Sequence, residues 1–263
     1  MKNETKKSSA LPLIIIVVVL IAALGAIYYF YNSSKTATSS NTVRTNTNQA
    51  RSNQQQQQQQ AANAPPGAQP PNMLGSPTAA VTVEEFADFQ CPACAAAHPA
   101  FKEIQQIYGS RIKFIFRNFP LHDKAFDAAV ATEAAGMQGT DKFWAMHNQL
   151  FTNQKNWSVS TDFRSVLLDY AQKIGLDVAK FQADMAGEHA RARVNQDRER
   201  GRGLGVSSTP TAYINGQAIP YPEMNATSMR QMIDAELQRS AAQRTAEATG
   251  NVNASSPANA VGK

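Results

Sequence analysis

The hydrophobic positions fall into three regimes. Leu11–Tyr31 is an unbroken run of 21 uncharged residues closing in Tyr28, Tyr29, Phe30 and Tyr31. At about 1.5 Å per residue, a helix of that length spans roughly 30 Å, the thickness of a bilayer core. Residues 32–77 turn to Asn, Ser, Thr and Gln, with seven consecutive glutamines (Gln54–Gln60) and a closing Ala/Pro/Gly stretch. So few large apolar residues cannot make a core, and the segment reads as a disordered linker, a coil with an end-to-end distance of about 37 Å. From 78 to 240 the apolar residues recur with regular periods. Ala79–Phe89 alternates, with Val81, Val83 and Glu85 on one face, and predicts a strand. Pro92–Tyr108 has helical spacing and stops at Gly109. Arg111–Phe119 sets Ile112, Phe114 and Phe116 against Arg111, Lys113 and Arg117, a second strand expected to be central. Helical stretches follow at 124–136, 140–152, 162–174, 177–186 and 188–202, broken at glycines. Thr211–Ile214 and Gln217–Ile219 flank Asn215-Gly216, a hairpin with a type I′ turn, and Ala226–Arg239 is a last helix. This order predicts an α/β fold with a helical block inserted over 122–202. Residues 241–263, rich in Ala, Asn, Ser and Gly, read as a disordered tail.

Charge changes the picture of the first region and excludes one function for the rest. The net charge is +5, but residues 1–77 carry six basic side chains and one acid, leaving nineteen of each sign in 78–263. The part that can fold is neutral, which argues against a nucleic-acid partner. Lys2, Lys6 and Lys7 precede the apolar run and the next charge is Lys35. The positive-inside rule then puts residues 1–10 in the cytosol, makes 11–31 a single transmembrane anchor in the cytoplasmic membrane, and exports everything beyond. Leu24-Gly25-Ala26 leaves open a cleaved signal peptide, which would also export the domain.

Two cysteines are too few for a disulfide-rich scaffold, a four-cysteine zinc site or an iron–sulfur cluster on one chain. They stand as Cys91-Pro92-Ala93-Cys94, where the first strand gives way to the first helix. A thiol at a helix N-terminus meets unpaired N–H groups and the positive dipole end, both favouring thiolate. Two intervening residues allow a disulfide that can be reduced and re-formed. Haem attachment would need His where Ala95 stands; zinc could recruit His98 but lacks an evident fourth ligand. An inert disulfide would gain little from so short a loop. Glu85, an acid in an apolar strand six residues before Cys91, could relay the proton of Cys94; the alternative is that it faces solvent, since one of Glu84 and Glu85 is expected to point outward. A cis Thr209–Pro210 bond would present backbone groups beside the disulfide to an incoming peptide.

Glu85-Phe86-Ala87-Asp88-Phe89-Gln90-Cys91-Pro92-Ala93-Cys94 and Leu204-Gly205-Val206-Ser207-Ser208-Thr209-Pro210-Thr211-Ala212-Tyr213-Ile214-Asn215-Gly216 together resemble the DsbA-like branch of the thioredoxin superfamily, and within it the membrane-tethered, BdbD-like thiol oxidases. The resemblance covers 78–240. It implies a thioredoxin fold with an inserted helical block, Cys91 as an exposed nucleophile, Cys94 as its buried partner, and Pro210 in cis after Thr209. It implies that Pro92, Ala93, Ser208, Thr209 and Pro210 meet the substrate chain. No cofactor is implied beyond the Cys91–Cys94 disulfide. The implied partners are exported cysteine-containing proteins and a quinone-linked membrane redox protein, with the chain acting as a monomer. Ala93 departs from the His of the most oxidising members. Thr209 before the proline also occurs in isomerases of the DsbC type, which carry a folded dimerisation domain where this chain has its linker.

The expected function is therefore an extracytoplasmic thiol–disulfide oxidoreductase acting as an oxidase. The alternatives are a reductase or isomerase, and a non-catalytic client-binding module. Other features read as structural. Phe143, Trp144, His147 and Phe151 suit a packed helix face, His122 and His189 the surface, and the arginine-rich stretch 188–202 a solvated face.

Overall fold

The computed structural model describes residues 22–31, 52, 56, 59 and 63–254, with side chains to 247. The chain divides into two units, Met1–Gln56 and Gln57–Lys263. In the first, residues 22–31 form a helix, α1. The rest of the expected anchor, 11–21, and residues 1–10 lie outside the described residues. Among the described residues no helix is long and apolar enough to cross a membrane.

The second unit is built on a sheet in the order β1-β3-β2-β4-β5, with β1 Asn72–Gly75, β2 Val81–Ala87, β3 Ile112–Asn118, β4 Thr211–Ile214 and β5 Gln217–Ile219. β2 and β3 run parallel, joined by α2 (Pro92–Tyr108), and the other pairings are antiparallel. The middle strand is β2, and β3, expected to be central, lies beside it in the interior, paired with β1 on its other side. The helical block comprises α3 Ala125–Gly136, α4 Thr140–Thr152, α5 Gln154–Trp157, α6 Phe163–Lys173, α7 Val178–Ala186 and α8 Glu188–Gly203. The hairpin turn takes positive φ at Asn215 (49°) and Gly216 (78°), as a type I′ turn requires.

Period-2 alternation puts Val81, Val83 and Ala87 of β2 with Ile112, Phe114 and Phe116 of β3 in the main core, against Phe101 and Ile104 of α2 and Met229 and Ile233 of the last helix, α9 (Ala226–Ala254). The opposite face holds a smaller cluster of Phe86, Phe119 and Val206. Gly201 lies there because a Cβ would stand 2.6 Å from the Phe119 ring.

Both expected boundaries move outward. The linker expected over 32–77 ends sooner: β1 pairs with β3, and Ala68 is fully buried. The reason is a set of arginines that grip backbone rather than side chains. Arg117 donates to the carbonyls of Pro66 (3.0 Å) and Ala68 (3.0 Å), Arg200 to Pro65 (3.0 Å), and Arg193 to Gln69 (3.1 Å) and Pro70 (2.9 Å). Buried carboxylates hold these arginines in turn: Glu84 accepts from Arg117 and Arg200, Asp197 from Arg117, and Glu133 from Arg193. Burial alone would raise the Glu84 pKa, but the guanidinium groups of Arg200 and Arg117 outweigh it and lower the value. Neither Glu84 nor Glu85 points to solvent (7% and 2% exposed), because helices cover both faces of the sheet. The arginine-rich stretch is likewise only partly a solvated face. At the other end, α9 runs Ala226–Ala254, so residues 241–254 of the expected tail continue the helix, as Ala241, Ala242, Arg244, Ala246 and Glu247 favour. Residues 255–263 lie outside the described residues.

Candidate active site

Cys91 is the N-cap of α2 and Pro92 its first residue, where a missing N–H costs nothing. Cys94 is fully buried in the main core and Cys91 is 8% exposed. The expected exposed thiol is thus mostly covered, though still the more accessible of the two. Its cover is the loop before β4: the Thr209–Pro210 bond is cis, and the Cys91 sulfur, which donates when protonated, lies 3.3 Å from the Thr209 carbonyl. The Thr209 hydroxyl is buried beside the two sulfurs of the reduced pair. Ser208 and Pro92 are exposed, Ala93 and Thr209 half-buried, and Pro210 buried. Of the loop residues it is Thr209 that meets Cys91, from 118 positions along the chain.

The two thiols have opposite electrostatics. A hydrogen bond from the Cys94 thiol, then the N–H of Cys94, the Thr209 hydroxyl and the N–H of Ala93, outweigh burial and bring the Cys91 thiol down to about 5. Burial first, and then the neighbouring Cys91, push Cys94 up. At neutral pH the reduced pair therefore holds one thiolate, on Cys91, and one thiol, on Cys94. Glu85 lies on the main-core face of β2, in register with Phe116 and Ala212, and burial pushes its carboxyl up to about 8.

That value gives a stability prediction. Glu85 binds its proton more tightly in the folded than in the unfolded state, so its contribution is complete below the ordinary value of 4.5 and is lost as pH rises toward 8. In the oxidised protein, where neither cysteine titrates, Glu85→Gln is expected to flatten the pH dependence. The difference from wild type is expected to change by about 3 kcal/mol between pH 4.5 and 7. Denaturant unfolding at pH 5, 6 and 7 checks it, and parallel pH dependences would contradict it.

Three residues that hold the active-site turn were not recognised from the sequence. Asp88, with its side chain fully buried, accepts from the N–H groups of Gln90 (2.6 Å) and Cys91 (3.2 Å) through Oδ1. Through Oδ2 it accepts from the N–H groups of Leu121 (2.6 Å) and His122 (3.0 Å). Gln90 accepts from the N–H of Lys124 at 2.8 Å. Gln154 donates to the carbonyls of Phe89 (2.7 Å) and Cys91 (2.8 Å) from α5. An Asp three positions before the cysteine is a turn signal readable in the sequence. Gln154 has no local signal, because its partners lie more than sixty residues away. His98 packs on Phe151 and His147 (ring centroids 4.9 and 5.2 Å). Phe143, Trp144, His147 and Phe151 form a buried helix face. Among the described residues no group of three His, Cys, Asp or Glu is placed to hold a metal. Beside α2 runs a groove of about 640 Å³, lined by Pro92, Ala95, His98, Pro99, Phe151 and Gln154 among others.

The thioredoxin family profile matches residues 68–235. The chain is 33% identical over 175 residues to a probable disulfide bond formation protein D of Bacillus cereus, covering 63% of this chain and 78% of that one. It is 35% identical over 151 residues to a Na(+)/H(+) antiporter NhaA 1 of Mycolicibacterium gilvum, 56% of this chain but only 23% of the antiporter. The chain thus spans about a quarter of the length of such antiporters. Among solved structures, oxidised BdbD from Bacillus subtilis superposes with a TM-score of 0.59 at 27% identity, covering 66% of this chain and 98% of that one.

Proposed function

Because the chain belongs to the thioredoxin family, in its DsbA/BdbD-like group, we propose that it is a protein thiol–disulfide oxidoreductase working as an oxidase. The observation that carries the reading is the divided electrostatics of the pair: Cys91 lowered to about 5 and Cys94 raised. A thiolate stabilised from the ordinary 9.0 to about 5 favours the reduced, folded protein at pH 7 by about 3 kcal/mol, equivalent to about 60 mV toward the oxidising side. The pair therefore gives up its disulfide readily.

In the cycle, a client thiolate attacks Sγ of Cys91 and the Cys91–Cys94 bond breaks. The electron pair leaves on Cys94, which takes a proton, and Glu85, neutral below about 8, supplies it. The client is now held in a mixed disulfide. Its second thiolate attacks its own bridging sulfur and expels Cys91 as the favoured thiolate. Two client thiols have been oxidised and one protein disulfide reduced. The cis loop at Ser208, Thr209 and Pro210 and the exposed Pro92 with Ala93 are the surfaces the client chain crosses, and the groove beside α2 extends them.

We place the domain outside the cytoplasmic membrane as a monomer, with 11–31 as its single-pass anchor, exported cysteine-containing proteins as clients, and a quinone-linked membrane protein as reoxidant. The charge-flanked apolar run supports this placement. Equilibration of the full chain against glutathione is expected to give a reduction potential above about −180 mV. A value near −270 mV would assign it as a reductase, and a potential above −180 mV with reshuffling of scrambled substrate would make it an isomerase.

A further inference from the structure

Asp88 does more than cap a turn. Besides the four N–H groups already named, its Oδ2 pairs with Nδ1 of His122 at 2.8 Å. One buried carboxylate thus fastens an imidazole to the turn that ends in Cys91. His122 lies on the loop after β3, within electrostatic reach of the Cys91 sulfur, and the charged groups that face it are Asp88, Cys91 and Asp123. The neighbouring cation is aimed elsewhere: Lys124 Nζ donates to the carbonyls of Ser158 and Ser160, both at 2.8 Å. The dipeptide between the cysteines, Pro92-Ala93, carries no charge.

We propose that His122 is a positioning residue for the reaction, an imidazolium held by Asp88 that supplies the Cys91 thiolate with the side-chain cation its own motif lacks. The inference rests on Cys91 being the thiolate of the reduced pair. The hydrogen bond to Asp88 raises the His122 pKa above 6.5, keeping the ring charged across the range in which Cys91 titrates. The charge is half-exposed, so its effect is moderate and screened by salt.

Linkage makes the test two-sided: if charged His122 favours the thiolate, the thiolate must favour charged His122 equally. In the full chain, NMR titration of His122 is expected to give a pKa about half a unit higher in the reduced than in the oxidised protein, the scale of one charge acting through a partly solvated gap. Titration of the reduced protein at 240 nm is expected to show His122→Gln, which keeps a donor but loses the charge, raising the Cys91 midpoint by a similar amount. His122→Lys should restore it. Identical His122 pKa values in the two redox states overturn the proposal. So does an equal shift in the Gln and Lys variants, which would mean a packing role only. Alkylation mapping separates the underlying reading: modification of Cys94 rather than Cys91 near pH 6 would overturn both.

Discussion

Cys91→Ser is expected to reduce oxidation of a dithiol client to background, a loss of about a thousandfold or more, as for other covalent nucleophiles. The serine keeps the N-cap position and the size of the side chain, so folding should survive while the mixed disulfide cannot form. Cys94→Ser separates the two sulfurs. Without Cys94 the bridge on Cys91 can be released only by a second client thiol, so with a client holding a single thiol the variant should accumulate as an adduct cleavable by reductant. Non-reducing electrophoresis, after Cys94→Ser has been converted to its mixed disulfide with glutathione and then mixed with the reduced client, checks for the adduct, and Cys91→Ser treated alike should give none. Full client binding and unchanged cellular function in Cys91→Ser would instead establish a non-catalytic binding module. A low pKa on Cys91 thus predicts not only that the pair reacts but which cysteine keeps the client.

The second large effect is on stability. Arg117→Met is expected to destabilise the protein by about 3–5 kcal/mol, the usual consequence of removing one partner from a buried ionic network. Arg117 is 3% exposed and bonds at once to Glu84, Asp197, and the carbonyls of Pro66 and Ala68. Its loss leaves the Asp197 carboxylate buried without a cation, while Glu84 keeps Arg200. Arg117→Lys retains the charge but not the fork of donors, and should fall between the two. Chemical denaturation of the oxidised full chain measures the series. A loss under 1 kcal/mol for Arg117→Met would show that residues 65–70 are held by something other than these bonds. Because Arg117 and Arg200 meet on Glu84, their variants should be non-additive.

The elements were legible because hydrophobic period decides them. α2 begins at Pro92 and ends at Tyr108, and every helix of the block over eight residues long lies within a residue or two of its reading. The cysteine motif and the Thr209-Pro210 loop were legible because each combines residue types whose conformations are restricted. What period could not show is polar pairing across the sheet. The acidic and basic positions of β2, β3 and α8 look solvated one segment at a time, and become a buried network only when the three elements meet. The same holds for the approach to β1: the arginines hold residues 65–70, and within the strand Asn72 donates to Glu133 and Leu74 packs on the core. His122 read as a surface residue, and it is indeed half-exposed. Its relation to Cys91 depends on Asp88 reaching 34 positions along the chain.

The two outermost strands of the sheet bear on solubility. β1 has four residues and β5 three, while the seven-residue strands β2 and β3 lie inside. A long open edge would offer a template to any unfolded chain, and an oxidase acting on unfolded clients, as proposed above, would meet that hazard at every turnover. With short outer strands, β1 preceded by Pro71 and ended at Gly75 and β5 halted at Pro220, little unpaired backbone is left for a client to extend. A client of the proposed oxidase would then meet the cis loop, the α2 N-terminus and the groove beside α2, from which a captured chain is released by chemistry rather than retained by growing sheet.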